Sequence, residues 1–150
     1  MKKEFVIPAI KDGSVIDHIP SKATFRVMKL LDPKEYEHTI NIALNLPSKK
    51  MGKKGLIKIS SRTLTEEEVN KIALLAPDAT VNIIKDYEVL KKTVVKVPKI
   101  VENIVKCSNP NCITNVEHVA TRFLLLTEEP LRMHCFYCER VMGRDDISLL

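Results

Sequence analysis

Tryptophan is absent from this 150-residue chain, and aromatic residues make up only 5% of it. Rings this scarce argue against a function built on stacking bases along a single strand. Glycine is held to four residues. The most glycine-rich stretch, Met51-Gly-Lys-Lys-Gly55, does not meet the GxxxxGK[ST] frame of a phosphate cradle. No GxSxG or HExxH motif occurs either, so no catalytic arrangement of those types stands out. Apolar runs are short, as in Phe123-Leu-Leu-Leu126, and no segment is expected to span a membrane. The opening Met1-Lys2-Lys3-Glu4-Phe5 lacks the apolar core of a secretory signal, which points to a cytoplasmic protein. Cysteine is missing from the first 106 residues.

The four cysteines that do occur lie together: Cys107-Ser-Asn-Pro-Asn-Cys112 and then Cys135-Phe-Tyr-Cys138. Two close pairs separated by a longer loop can present four thiolates to one tetrahedral ion, and zinc favours sulfur at such corners. A structural zinc module is the reading this spacing supports best. A site with all four positions filled by protein leaves none open for water or substrate, which argues against a zinc hydrolase. Two disulfides would suit a secreted chain instead. Cys135–Cys138 alone would allow a redox pair, but the second pair in the same module favours metal. His118 and His134 could compete as ligands. His134 neighbours Cys135, so its side chain is expected to point elsewhere.

Hydrophobic content of 45% is that of a globular chain with its own core. The formal net charge of +5 and a sequence pI near 9.0 suit an anionic partner, whether nucleotide, nucleic acid or acidic protein.

Along the chain, residues 4–10 are mostly apolar and end at the turn Lys11-Asp12-Gly13, after which Val15-Ile16 is extended. Residues 22–31 place Phe25, Met28 and Leu31 at helical spacing, with Asp32-Pro33 as the stop. Ile40, Ile42, Leu44 and Leu46 alternate as one face of a strand. A loop over Pro47–Gly55 leads to a second strand, Leu56-Ile-Lys-Ile59. Thr65 and Glu68 form a capping box before Val69, Ile72, Ala73 and Ala76, and Pro77 ends that helix. Ala79–Ile84 is another strand. The order β-α-β-β-α-β is that of a ferredoxin-like α+β domain. Residues 91–106 look like an extended connection, with a domain boundary near 98–102. Glu117–Leu126 and Leu131–Cys135 look strand-like, which suggests a small antiparallel sheet built on the metal.

Outside the cysteines, Asp17-His18 could be an acid–base pair, but neighbours on a strand point to opposite faces. Lys53 and Lys54, within the cluster Lys49–Lys54, are expected to decorate an exposed hairpin loop. Lys58 shares a face with Leu56, opposite Ile57 and Ile59. If helices cover the isoleucine face, Lys58 lies on the open one, as a point charge for phosphate. Asn82 shares its face with Ile84 and offers both donor and acceptor. Together on the open sheet of a basic protein, the two raise a nucleotide site.

At these residues the chain resembles the regulatory chain of aspartate carbamoyltransferase, the pyrimidine-pathway enzyme. The resemblance covers roughly residues 5–148. It rests on Gly13-Ser-Val-Ile-Asp-His-Ile-Pro20, Leu44-Asn-Leu-Pro-Ser48, Met51-Gly52, Leu56-Ile-Lys-Ile59, Ala76-Pro77, Ala79-Thr-Val-Asn82, Tyr87-Glu-Val89, Cys107 to Ile113, and Cys135-Phe-Tyr-Cys-Glu139. The resemblance implies a non-catalytic regulatory polypeptide. Residues 1–98 would be a ferredoxin-like domain binding CTP, ATP and UTP. Residues 99–150 would be a small antiparallel β domain, zinc-ribbon-like (rubredoxin-like), holding one structural Zn2+ and docking on the catalytic chain.

Regulatory chains of this family pair as homodimers, without nucleic acid or membrane. Carried over by position, the nucleotide site would comprise Ala9, Ile10, Val15, Asp17, His18, Leu56, Lys58, Asn82, Ile84, Tyr87, Val89 and Lys92. Lys58 and Lys92 would hold the triphosphate and Asp17 the ribose hydroxyls. Backbone groups around Ile10, Tyr87 and Val89 would read the base edge. Pro8 and Lys91 depart from the best-known members, which carry an acidic and a small residue there. The rival reading is a zinc-ribbon nucleic-acid-binding protein, supported by the basic pI, the lysine cluster and the metal module.

Overall fold

The structure, a computed structural model, describes residues 7–31 and 38–150. The chain divides into two compact units, Met1–Lys96 and Val97–Leu150. The first contains β1 (Gly13–Ile19), a 3-10 turn (Ser21–Ala23) running into α1 (Thr24–Leu30), β2 (Ile40–Ser48), β3 (Gly52–Ser60), α2 (Glu66–Ile72), β4 (Thr80–Lys85) and β5 (Glu88–Val94). The strands lie in the order β2-β3-β1-β4-β5, each antiparallel to its neighbours. The ferredoxin-like order is therefore present, with β5 as an added edge strand.

Alternation sorts the sheet into two faces. Ile16, Ile57, Ile59 and Val81 are fully buried, as are Val27 of α1 and Ile72 of α2. Each such side chain contributes on the order of 1.5–3 kcal/mol by leaving water. The capping box at the start of α2 forms. Thr65 Oγ1 accepts from the Glu68 N–H at 3.2 Å, and a Glu68 carboxylate oxygen accepts from the Thr65 N–H at 3.1 Å. Glu68 also pairs with Arg62.

Several expectations need correction. Along α1 and its C-cap residue the buried stripe runs through Thr24, Val27, Met28 and Leu31, spaced i, i+3, i+4 and i+7, and Phe25 lies off it, 63% exposed. The residues assigned as the stop of this helix, Asp32-Pro33, and the segment 4–6 lie outside the described residues. In β2 the pairing register shifts between Ala43 and Leu46, with Asn45 at φ +58°. This bulge breaks the expected single face beyond Ala43, and on this edge strand Ile42, opposite Ile57 before the bulge, and Leu44 are both exposed. The loop expected over 47–55 shrinks to Lys49-Lys50-Met51, because Ser48 already pairs with Gly52.

The strand β5 replaces the start of the extended connection. It joins β4 through Asp86-Tyr87, both at positive φ, with Lys85 paired to Glu88. That is the backbone of a type I′ hairpin made without glycine. Its residues are exposed apart from the half-buried Thr93, so no alternation betrays it.

The second unit holds β6 (Ile100–Glu102), β7 (Val105–Lys106), α3 (Ile113–Val116), β8 (Arg122–Thr127), β9 (Arg132–Cys135), β10 (Val141–Met142), a 3-10 turn (Arg144–Asp146) and β11 (Ser148–Leu149). One antiparallel sheet runs β10-β9-β8-β6, and β11 pairs with β7. The strand expected over 117–126 is confined to β8, with the single turn α3 ahead of it. Phe123, Met133, Met142, Val101 and Val105 make its core. A unit this small needs a further constraint to hold its loops. No helix among the described residues is long and apolar enough to cross a membrane.

Candidate metal centre and polar sheet face

The ligand loops are shaped by local hydrogen bonds. The Cys112 N–H donates to Asn109 O at 3.0 Å, and the Asn115 amide donates to Cys107 O and Asn109 O at 2.9 and 2.7 Å. The second loop closes through the Glu139 N–H to Cys135 O at 3.0 Å, with Glu139 at φ +64°. These turns bring the four sulfurs of Cys107, Cys112, Cys135 and Cys138 within 4.8 Å of one another. Two of the separations are 3.6 Å (Cys107–Cys138) and 3.8 Å (Cys112–Cys135). A disulfide would require about 2.0 Å. A tetrahedron of sulfurs around one ion at about 2.3 Å has edges of about 3.8 Å. The spacing thus fits a four-coordinate metal with no open position.

Burial pushes the Cys107 thiol up to about 12, against the Asn109 backbone hydrogen bond and with Cys138 adding to the rise. Burial raises Cys135 as well. At Cys138 burial acts in the same direction but is outweighed by hydrogen bonds from the Arg140 backbone and the Asn109 side chain, which bring it to about 7. Thiols this close resist ionising together, and a divalent cation among them reverses that preference. His134 sits within β9, paired with Leu124 and Val141, and is not part of the cluster; nor is the exposed His118. Phe136 and Tyr137, between the last two ligands, are both exposed and meet edge to face with centroids 5.5 Å apart.

In the first unit, the register builds one row across the whole sheet. Lys58 of β3 is opposite Asn41 of β2 on one side and Val15 of β1 on the other. Val15 is opposite Asn82 of β4, and Asn82 is opposite Lys92 of β5. Alternation turns this row away from Ile16, Ile57 and Val81. Lys58 and Lys92 are three strand spacings of about 4.8 Å apart, roughly 14 Å. Leu56 and Ile84 lie on the same face, and Ile84 pairs with the exposed Val89. The Asn82 amide oxygen is buried and has no hydrogen-bond partner among the described residues.

Asp17 continues this face along β1 and forms an ion pair with Lys54 at 2.8 Å. His18 follows at φ +58°, in the bulge between Ile16 and Ile19, so simple alternation does not apply to it. Its N–H donates to Asp17 Oδ1 at 2.6 Å, while its ring Nδ1 lies 3.2 Å from Thr80 Oγ1. The two side chains form no dyad, as expected. Ala9 is exposed and Ile10 buried, in the segment before β1. That segment is tied to the β4–β5 turn: the Tyr87 N–H donates to Lys11 O at 2.9 Å, and the Asp86 N–H to Asp12 Oδ1 at 3.0 Å. Lys58 Nζ donates to Pro8 O at 2.8 Å and to Ile7 O at 3.4 Å. Burial lowers the Lys58 pKa from its ordinary value, and Asp17 partly offsets this.

Sequence reasoning missed Asn41, Lys54, Thr80 and the Ile7 and Pro8 carbonyls. Asn41 was recoverable from the β2 alternation once its pairing with β3 was known. Lys54, expected in an exposed loop, instead lies half-buried in β3 beside Asp17, while its neighbour Lys53 is exposed. Backbone carbonyls carry no sequence signal at all.

These observations define a two-part chain: a ferredoxin-like sheet with a cationic polar row, followed by a β ribbon knotted by four thiols. Residues 5–96 match the family described as aspartate carbamoyltransferase regulatory chain, allosteric domain, and residues 99–148 match the metal binding domain of that regulatory chain. The aspartate carbamoyltransferase regulatory chain of Pyrococcus abyssi is 49% identical over 146 residues, covering 96% of each chain. Those of Thermococcus kodakarensis and Sulfolobus acidocaldarius are each 47% identical over 149 residues, covering 99% and 97% of this chain and 98% and 90% of theirs. The chain belongs to the family of aspartate carbamoyltransferase regulatory chains, with an allosteric and a metal-binding domain. It is a non-catalytic polypeptide of that complex.

Proposed function

We propose that residues 1–98 sense CTP, ATP and UTP on the polar sheet face. Residues 99–150, organised by one structural Zn2+ on Cys107, Cys112, Cys135 and Cys138, then carry the response to the catalytic chain. The observation that carries the nucleotide reading is the row Asn41–Lys58–Val15–Asn82–Lys92. It sets two cations on one face, together with a buried amide oxygen that has no partner among the described residues. Lys58 and Lys92 hold the triphosphate. Asp17, with Lys54 and His18 beside it, accepts from the ribose. The Asn82 oxygen awaits a donor. The base lies near Ile10, Tyr87 and Val89, over Leu56 and Ile84, with Ala9 at its rim.

Binding does no chemistry on the nucleotide. It biases a two-state equilibrium of the complex by differential affinity, with a coupling of about 1–3 kcal/mol. The catalytic chain docks against the exposed apolar side chains of the metal unit, among them Ile113, Val116, Phe136 and Tyr137.

Two regulatory chains pair through β2. This nine-residue edge strand contains no charged residue and exposes Ile42 and Leu44, whereas edges kept apart are blunted by charge. The opposite edge, β5, carries Glu88, Lys91 and Lys92. The assembly works in the cytoplasm.

The test is co-expression with the cognate catalytic chain. Aspartate saturation is then measured with CTP, ATP and UTP, and CTP affinity with and without a substrate analogue. The reading expects a shifted aspartate curve and reciprocal shifts in affinity. Equal CTP affinities in the two states reject the coupling.

A further inference from the structure

We propose that the Ile7 and Pro8 carbonyls are an internal competitor for the effector site: they hold Lys58 until an incoming polyphosphate displaces them. This rests on the nucleotide reading of the polar row above and adds a regulatory element to it. A lysine ammonium has three donors and no acceptor. At Lys58 two donors are directed to backbone oxygens, at 2.8 Å to Pro8 and 3.4 Å to Ile7. Asp17, the acid that acts on this lysine electrostatically, is itself bonded to Lys54 at 2.8 Å. This cation therefore has two of its three donors engaged by carbonyls, while the acid that acts on it is bonded to another lysine. A phosphate approaching it meets the negative ends of two carbonyl dipoles, so the two ligands exclude each other. A phosphate oxygen carries net charge where a carbonyl oxygen carries only a dipole, so it is the stronger acceptor for the ammonium and the exchange runs towards the polyphosphate.

The covalent layout suits an arm that swings. Lys11 and Asp12 are bonded to the backbone of Tyr87 and Asp86, which anchors the segment just beyond residue 10. Residues 7–10 form no strand or helix of their own. Pro8 locks its own φ, which lowers the entropy lost when the arm sits on Lys58. The arm thus sets a threshold: weakly held anions leave it in place, and a triphosphate that engages Lys58 releases it.

The experiment is calorimetric titration of zinc-loaded regulatory chain with inorganic tripolyphosphate and with CTP. It uses the full chain, the chain lacking residues 1–8, and Pro8→Gly, each with and without Lys58→Met. Tripolyphosphate reads the lysines without any base contact. The shortened chain is expected to bind it about 3–10-fold tighter and Pro8→Gly about 2-fold tighter. Both gains should vanish in the Lys58→Met background, as a double-mutant cycle requires. Should the shortened chain lose its fold, Pro8→Gly decides the matter alone. Equal or weaker binding by the variants overturns the competitor while leaving the effector site standing. No binding of either probe to the full chain overturns both.

Discussion

Asn82 and Lys92 face each other across β4 and β5, on the side of the sheet turned away from the fully buried Val81. The pairing joins an amide whose buried oxygen has no hydrogen-bond partner among the described residues to an exposed cation. Replacing Lys92 by alanine removes a charge-assisted contact of about 1.5–3 kcal/mol, or roughly a 10- to 100-fold loss in triphosphate affinity. Calorimetry should show this with metal content unchanged. Unaltered affinity would remove Lys92 from the site.

Lys58 adds a pH dependence. Its pKa is lowered by burial, so the folded chain holds this proton less tightly than the unfolded chain does. Its charge is fully present below the lowered value and lost as pH rises through it. Nucleotide affinity should therefore decline on the alkaline side, earlier than an ordinary lysine would dictate. Lys58→Arg, which stays charged, should move the decline to higher pH. The same shift makes folding stability rise with pH between the folded and unfolded pKa values, since the unfolded chain binds more protons there.

Metal removal should unfold the second unit. Structural zinc contributes about 10–16 kcal/mol in modules of this kind. The core centred on Phe123, Met133 and Met142 cannot replace that. Titration with a mercurial should release one zinc per chain, abolish protease resistance of Val97–Leu150, and free the regulatory chain from the catalytic chain. A complex that survives with its metal gone refutes the docking role of these loops.

The α2 cap is a local test of stability. Thr65→Ala removes the acceptor for the Glu68 N–H, at a cost of about 1 kcal/mol. The melting midpoint should fall by a few degrees at most, with nucleotide affinity unchanged, because Thr65 lies in the loop leading into α2 and not on the polar row.

Pairing through β2 is tested by Ile42→Lys. A charge on this uncharged edge should shift the regulatory chain from dimer to monomer in sedimentation, with metal content and nucleotide binding retained. A dimer that persists unchanged would place the contact elsewhere.

Much of this was legible in the sequence, because local chemistry carries it. The cysteine spacing suffices to announce a four-thiol centre, since neighbouring ligands on tight turns need little of the remaining fold. The Thr65–Glu68 cap and the Ile57–Lys58–Ile59 alternation are likewise decided within a few residues. Strand β5 was not legible. It is exposed, charged and entered by a glycine-free turn, so no periodicity marks it. Phe25 was misplaced for another reason: the buried stripe along α1 runs through Thr24, Val27, Met28 and Leu31, and the polar Thr24 on it disguises that phase in the sequence.

By itself, then, the order of amino acids determined which faces of β3 and β4 are apolar and which thiols stand close. Only the tertiary structure decided that Asn41, Lys58, Val15, Asn82 and Lys92 share one row, that Lys54 reaches Asp17, and that two backbone carbonyls rest on Lys58. Strand register, bulges and main-chain acceptors depend on contacts between distant segments. No side-chain pattern along the chain encodes those contacts singly.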